Sequence, residues 1–124
     1  KVLIPLDPCN EVIISESEFS QLPNTFFVQS IIDMIKPFIR NIKSHLDVNG
    51  ALVYDAIAAY YLICSNQFKL SPMDILIETD GVLTRGMCVM EKRNEIDKIP
   101  NILVAVDINV NSFKNDFFRM LAHY

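Results

Sequence analysis

The sequence has no tryptophan, only three glycines, and three cysteines without a CxxC pair. It has no polar low-complexity tract either. Together with 51% hydrophobic residues, that excludes a disordered or collagen-like chain. No apolar run approaches the ~18–20 residues a membrane helix needs, so no membrane partner is expected. An excess of positive charge is also missing: eleven Lys and Arg stand against fifteen Asp and Glu, a net charge of −4. The densest basic pair, Lys92-Arg93, is followed at once by Glu95 and Asp97. Nucleic acid would need a run of phosphate-neutralising cations and is therefore not expected as a partner. Cys9, Cys64 and Cys88 are odd in number, and none has a neighbouring His or Lys to lower its pKa. They read as reduced, mostly buried thiols of a cytoplasmic protein, not as a disulfide frame or a nucleophile.

What is present is one apolar domain of 124 residues, with a mean hydropathy of +0.26. A chain of this size buries roughly two-thirds of its unfolded surface. The opening Lys1-Val2-Leu3-Ile4 reads as a strand and has neither the basic start nor the cleavage site of a leader, so no signal peptide is expected. A chain this apolar, entered in mid-strand, is expected to be a single partial domain over residues 1–124, part of something larger.

Residues 1–6 read as a buried strand closing at Asp7-Pro8. Ser15-Glu16-Ser17-Glu18 has the Ser-x-x-Glu form of a capping box and predicts a short helix ending before Pro23. Asn24 or Thr25 should cap a long helix in which Val28, Ile31, Ile32, Ile35, Ile39, Ile42 and Leu46 share one face, with a kink at Pro37. Residues 51–64 read as a helix apolar almost all round, with small faces at Ala56, Ala58 and Ala59. Asp80-Gly81, between Ile75-Leu76-Ile77 and Met87-Cys88-Val89-Met90, predicts a hairpin. Residues 101–108 read as a further buried strand. Asn111 or Ser112 should then cap a last helix with Phe113, Phe117, Met120 and Leu121 on one side. The order β-α-α-α-β-β-β-α points to an α/β layer protein whose sheet is incomplete in this chain.

Most motifs that carry chemistry are absent. There is no GxGxxG, P-loop, HExxH, GxSxG or EF-hand loop. His45 and His123 are too isolated for a zinc site and read as surface or helix-end residues. Asp74/Glu78 and Glu91/Glu95 read as solvated faces and turns. That leaves Tyr54-Asp55, where Asp55 is the one charge on an otherwise apolar helix. Two readings stay open from pattern alone. Asp55 either complements the helix dipole and its free amides, or reaches out to a metal or a substrate hydroxyl.

Four segments in order resemble the inosine–uridine nucleoside hydrolase family. Residues 53–63 (VYDAIAAYYLI) are similar to its HDPxAVAYxxxP helix, and residues 4–10 (IPLDPCN) to its LDxTH segment. Residues 77–87 (IETDGVLTRGM) resemble its VExxGxLTxGMT hairpin, and residues 101–107 (NILVAVD) with Phe113 its VAVxxDxxxFW ending. The resemblance spans this whole chain but only about the last two-fifths of the family's usual length. It implies the C-terminal part of a Rossmann-like α/β fold with a mostly parallel sheet, a β-hairpin and a C-terminal helix. The implied activity is hydrolysis of the N-glycosidic bond of ribonucleosides to base and ribose. The implied cofactor is one Ca²⁺ in a cage of carboxylates, a backbone carbonyl, water and the ribose diol.

Carried over by position, Asp55 becomes a Ca²⁺ ligand and Tyr54 the catalytic position beside it, with both touching the ribonucleoside. Where the family often has a His proposed to protonate the departing base, this chain has Tyr54, which can donate a hydrogen bond or stack on a base. Cys9 and Asn10 replace the Thr and His of LDxTH, so no role is carried onto them. The family's DxDxxxDD motif and its asparagine-rich ribose-binding segments do not occur here. The chain is therefore expected to need an N-terminal portion for Ca²⁺ and turnover, and to be inactive alone. As the full-length protein it is expected to be a homo-oligomer. The polar residues 45–50, just before Tyr54, are expected to border the base pocket. The competing expectation is a non-catalytic α/β module, related to the same family and used for association.

Overall fold

The computed structural model describes residues 1–91 and 99–124, so Lys92-Arg93, Glu95 and Asp97 lie outside the described residues. Three strands form the central sheet in the order β1-β7-β4: β1 (Val2–Leu3), β7 (Ile102–Ile108) and β4 (Phe68–Met73). β1 runs parallel to β7, with Val2 opposite Leu103, while β4 runs antiparallel to it, with Phe68 opposite Ile108. This is an α/β architecture with a hairpin and a C-terminal helix, as expected. β4 was not foreseen. Its Lys69-Leu70-Ser71-Pro72 stretch is polar and carries a proline, but β4 is the edge strand, where a missing N–H breaks no ladder bond.

Only Val2–Leu3 of the opening run is strand, and Val2 is exposed rather than buried. Leu6–Asn10 instead forms a short helix, α1, with Pro8 and Cys9 pressed into the core. A two-residue strand, β2 (Ile13–Ile14), follows. The capping box then forms as read: Ser15 Oγ accepts from Glu18 N, Glu18 Oε2 accepts from Ser15 N at 2.8 Å, and α2 (Glu16–Phe19) begins. Thr25 Oγ1 accepts from Val28 N at 3.2 Å and opens α3 (Phe26–Leu46). Val28, Ile32, Ile39 and Ile42 are the buried stripe of α3, whereas Leu46 lies exposed at its end, past the core.

The helix read over residues 51–64 is shorter than expected. Ala51–Leu52 is strand β3, antiparallel to β2, and only Tyr54–Ile63 is helix, α4. A short apolar run does not by its period separate strand from helix, and here pairing with Ile13–Ile14 decides. Gly50 makes that pairing possible, because a Cβ there would stand 2.7 Å from the Ile14 carbonyl oxygen. Nor is α4 buried all round: Ile57 and Tyr60 are, but Leu62 and Ile63 stand 84% and 80% exposed. A 3₁₀ turn, Ser65–Gln67, leads from α4 into β4.

β5 (Ile75–Ile77) and β6 (Cys88–Met90) pair antiparallel as the expected hairpin, joined by a ten-residue loop and not by a tight Asp-Gly turn. β7 alternates more than a fully buried strand would, with Leu103 and Val106 about two-fifths exposed. The last helix, α5 (Val110–Ala122), is capped by Asn109, whose Oδ1 accepts from Ser112 N at 3.1 Å, not by Asn111 or Ser112. Phe113 and Leu121 are its buried residues, while Met120 is exposed.

One core cluster takes buried side chains from the sheet and from α3, α4 and α5 as well as α1 and α2, and its most completely buried large side chains are Phe19, Phe113, Ile14 and Ile57. Tyr60 packs edge-on against Phe113, 5.2 Å between ring centroids, and its hydroxyl donates to Asp116 Oδ2 at 2.7 Å. Burial, then that bond to a carboxylate, push the Tyr60 hydroxyl well above its ordinary pKa. Of the cysteines only Cys9 is buried; Cys64 is half-buried and Cys88 exposed, so the expectation of mostly buried thiols holds for one of three. All three are free thiols. No helix among the described residues is long and apolar enough to cross a membrane.

Candidate functional site

The N-terminal turn of α4 and the end of α1 meet at one edge of the core. Two buried residues, Pro8 and Cys9, fix α1 there, and burial followed by the charge of Asp7 pushes the Cys9 thiol up in pKa. A thiol so placed stays protonated and acts as packing, not as a nucleophile. The residue after it, Asn10, is exposed and points its side chain across to α4.

At α4 the capping position is Val53, which has no side-chain oxygen to offer the free amides of the first turn. Asp55 sits in that first turn as its acidic residue, where a carboxylate complements the positive end of the helix dipole. It is exposed, not held in a buried helix start. Tyr54 is half-buried against the core, and its hydroxyl donates to Asn10 Oδ1 at 2.8 Å. Tyr54 and Asp55 are therefore consecutive and accessible to solvent, on a helix whose buried residues are Ile57, one turn on, and Tyr60, nearly a turn further.

A calcium ion takes six to eight oxygens, and Asp55 can give one or two of them. Among the described residues, no group of three or more His, Cys, Asp and Glu is arranged to hold a metal ion. Asp55 thus fits as one ligand, and the described residues do not by themselves make a cage.

The other candidates fall elsewhere. His45 is exposed in the last turn of α3, its Nδ1 2.8 Å from Asn41 O and 2.9 Å from Ser44 Oγ, so its ring is held on its own helix. His123 caps the C-terminus of α5. Both histidines are at helix ends, as read. Asp74 and Glu91 are half-buried at the base of the hairpin, not on a solvated face. Glu78 is likewise half-buried and turned into the loop, where its Oε1 accepts from Asp80 N and Gly81 N at 2.8 and 3.1 Å. Those backbone donors hold its carboxyl below the usual carboxylate range. Asn10 is the residue that sequence reasoning left without a role. Its partner lies 44 positions away, beyond any local pattern, and its place in the segment resembling LDxTH was the only pointer.

A family model described as inosine-uridine preferring nucleoside hydrolase matches residues 1–115. A non-specific ribonucleoside hydrolase RihC from Escherichia coli O157:H7 is 27% identical over 121 residues, which is 98% of this chain and 39% of that protein. The RihC of Klebsiella pneumoniae is 26% identical over 113 residues, 91% of this chain and 36% of its own length. The chain thus spans about two-fifths of the curated relatives it matches. Among solved structures, a purine-preferring ribonucleoside hydrolase from Gardnerella vaginalis superimposes with a TM-score of 0.86 at 21% identity, covering 98% of this chain and 39% of that one. A plant nucleoside hydrolase, the PpNRh1 enzyme, gives 0.87 at 11% identity over 99% of this chain and 41% of its own. At such identities the superpositions speak for the fold alone.

Proposed function

The chain belongs to the inosine-uridine preferring nucleoside hydrolase family, and from that premise we propose that it is part of a Ca²⁺-dependent ribonucleoside hydrolase. The reaction adds water across the N-glycosidic bond, so that oxygen goes to the ribose C1′ and hydrogen to the departing base. One observation carries the reading: Asp55, the only charged residue of α4, presents its carboxylate to solvent at the helix N-terminus beside Tyr54. A carboxylate there serves neither core packing nor an ion pair on its own helix.

In this reading Asp55 gives one or two oxygens to the ion, and the remaining ligands come from chain outside residues 1–124. The bound ion would supply a polarised, oriented water as the nucleophile. Tyr54 holds the nucleoside through its half-buried ring and its hydroxyl, and residues 45–50, which lead through β3 to Tyr54, border the base. The exposed side chains Leu62 and Ile63 are the apolar surface that the rest of the domain covers. The full-length protein is a cytoplasmic homo-oligomer, and the 124 residues alone neither bind Ca²⁺ tightly nor turn over nucleosides.

The test is calorimetry with Ca²⁺ and a ribonucleoside cleavage assay on the intact protein, its Asp55→Asn variant and the 124-residue chain. The intact protein is expected to bind and cleave, Asp55→Asn to lose both together, and the 124-residue chain to do neither. Asp55→Asn with undiminished binding and turnover, or micromolar Ca²⁺ affinity in the short chain, overturns the reading. An intact protein that neither binds Ca²⁺ nor cleaves would leave the association module in its place.

A further inference from the structure

We propose that Asn10 is a positioning residue for Tyr54: its side-chain carbonyl engages the Tyr54 hydroxyl proton, so that Tyr54 meets a bound nucleoside as a hydrogen-bond acceptor and not as a proton donor. This deepens the hydrolase reading of the same site and rests on it.

A tyrosine hydroxyl has one proton and two acceptor lone pairs. In this structure the proton is directed at Asn10 Oδ1, 2.8 Å away, a normal length for an O–H···O bond. The oxygen keeps acceptor capacity toward solvent. An oxygen so oriented suits a substrate hydroxyl, which can donate to Tyr54 Oη. A ribose offers hydroxyls of that kind.

Both partners are held in place from behind. Asn10 ends α1 immediately after Pro8 and Cys9, the latter only 2% exposed. Tyr54 opens α4 with its ring packed on the core, one turn before the fully buried Ile57. The bond therefore joins two anchored elements across 44 residues of chain and fixes the rotation of the hydroxyl. It is exposed, so its loss leaves no buried polar group stranded, and its effect falls on geometry at the site more than on folding.

The experiment compares Asn10→Ala, Asn10→Asp, Tyr54→Phe and the Asn10→Ala/Tyr54→Phe double variant in the intact protein, at pH 7 and across a pH profile. Asn10→Ala and Tyr54→Phe are each expected to lower kcat/KM by about three- to tenfold, the effect of one ordinary hydrogen bond. The double variant is expected to be no worse than the worse single one, because both changes break the same bond. Asn10→Asp keeps an acceptor but has no N–H and should recover most of the loss. The alkaline limb of the kcat profile should persist in Tyr54→Phe. Additive effects, an Asn10→Asp no better than Asn10→Ala, or an alkaline limb that vanishes with Tyr54→Phe would each overturn the proposal, the last by marking Tyr54 as the acid. A second readout needs no activity: the ¹³C resonance of Tyr54 Cζ should move on Asn10→Ala and stay on Glu11→Ala. An unmoved resonance on Asn10→Ala removes the bond and the proposal with it. A wild-type protein that cleaves no nucleoside, while that resonance still moves, removes the hydrolase reading but leaves the Asn10–Tyr54 pairing.

Discussion

Phe113 in α5 and Leu83 in the hairpin loop are both large apolar side chains, yet the first is 1% exposed and the second 96%. The regions around them differ in the same way. Phe113 packs against Tyr60 and Phe117 in the core cluster that also holds Phe68, Ala105 and Ile108 of the sheet. No described residue from Asp74 to Glu91 is buried. The hairpin's order rests instead on backbone. Glu78 N donates to Met87 O, Gly86 N donates to Glu78 O, and Gly86 takes the positive φ of 86° that the return requires. One region is held by what its side chains displace from water, the other by what its main chain bonds. A sequence written in the same apolar letters does not say which.

The sharpest way to break that comparison is to truncate one residue in each region. Phe113→Ala is expected to cost about 3–5 kcal/mol, through lost burial and the cavity left among Tyr60, Phe117 and the sheet, and denaturant unfolding reads it directly. A loss below about 1 kcal/mol would show that the core relaxes around the gap and that the contrast with the hairpin is overstated.

Acid sharpens the comparison within the core region. Glu18 is half-buried, and burial alone would raise its pKa. The Lys114 ammonium at 2.8 Å and the bonds from Ser15 outweigh that, and its carboxyl lies below the ordinary 4.5. A carboxyl depressed in the folded state contributes stability that is present above pH 4.5 and is lost as pH falls through its lowered value. Glu18→Gln should therefore lower the melting temperature at neutral pH and flatten its fall below pH 4.5. A melting profile parallel to wild type across that range would mean that Lys114 and Glu18 are not coupled in solution.

At the small end, Leu83→Ser should change stability by no more than about 0.5 kcal/mol, since its side chain is already in water. A larger loss in the same unfolding assay would mean that something covers the loop in solution.

Much of this molecule was legible before any coordinates. The capping box at Ser15, the stripe of α3 and the hairpin pair follow from spacing, and spacing is set by the backbone's own geometry. The errors share one cause. Ala51-Leu52, read as helix, became strand because Ile13-Ile14 lay alongside. Lys69–Pro72, for which no element was read, became part of an edge strand because β7 offered a ladder. In each case the deciding partner was remote in sequence.

The candidate site divides along the same line. Local pattern placed Tyr54 and Asp55 at a helix start and singled out Asp55 as the one charge on α4. It could not say that Asp55 is exposed, that Tyr54's hydroxyl turns to Asn10, or that Glu18 is tied to Lys114 across 96 positions. The sequence by itself determined the elements whose signals are local: caps, helical stripes, the pairing of a hairpin and the family's ordered segments. Tertiary structure alone decided which apolar faces are covered and where each polar side chain finds its partner. The physical reason is range: propensity and capping act over a few residues, whereas burial and long-range hydrogen bonds depend on what the folded chain brings alongside.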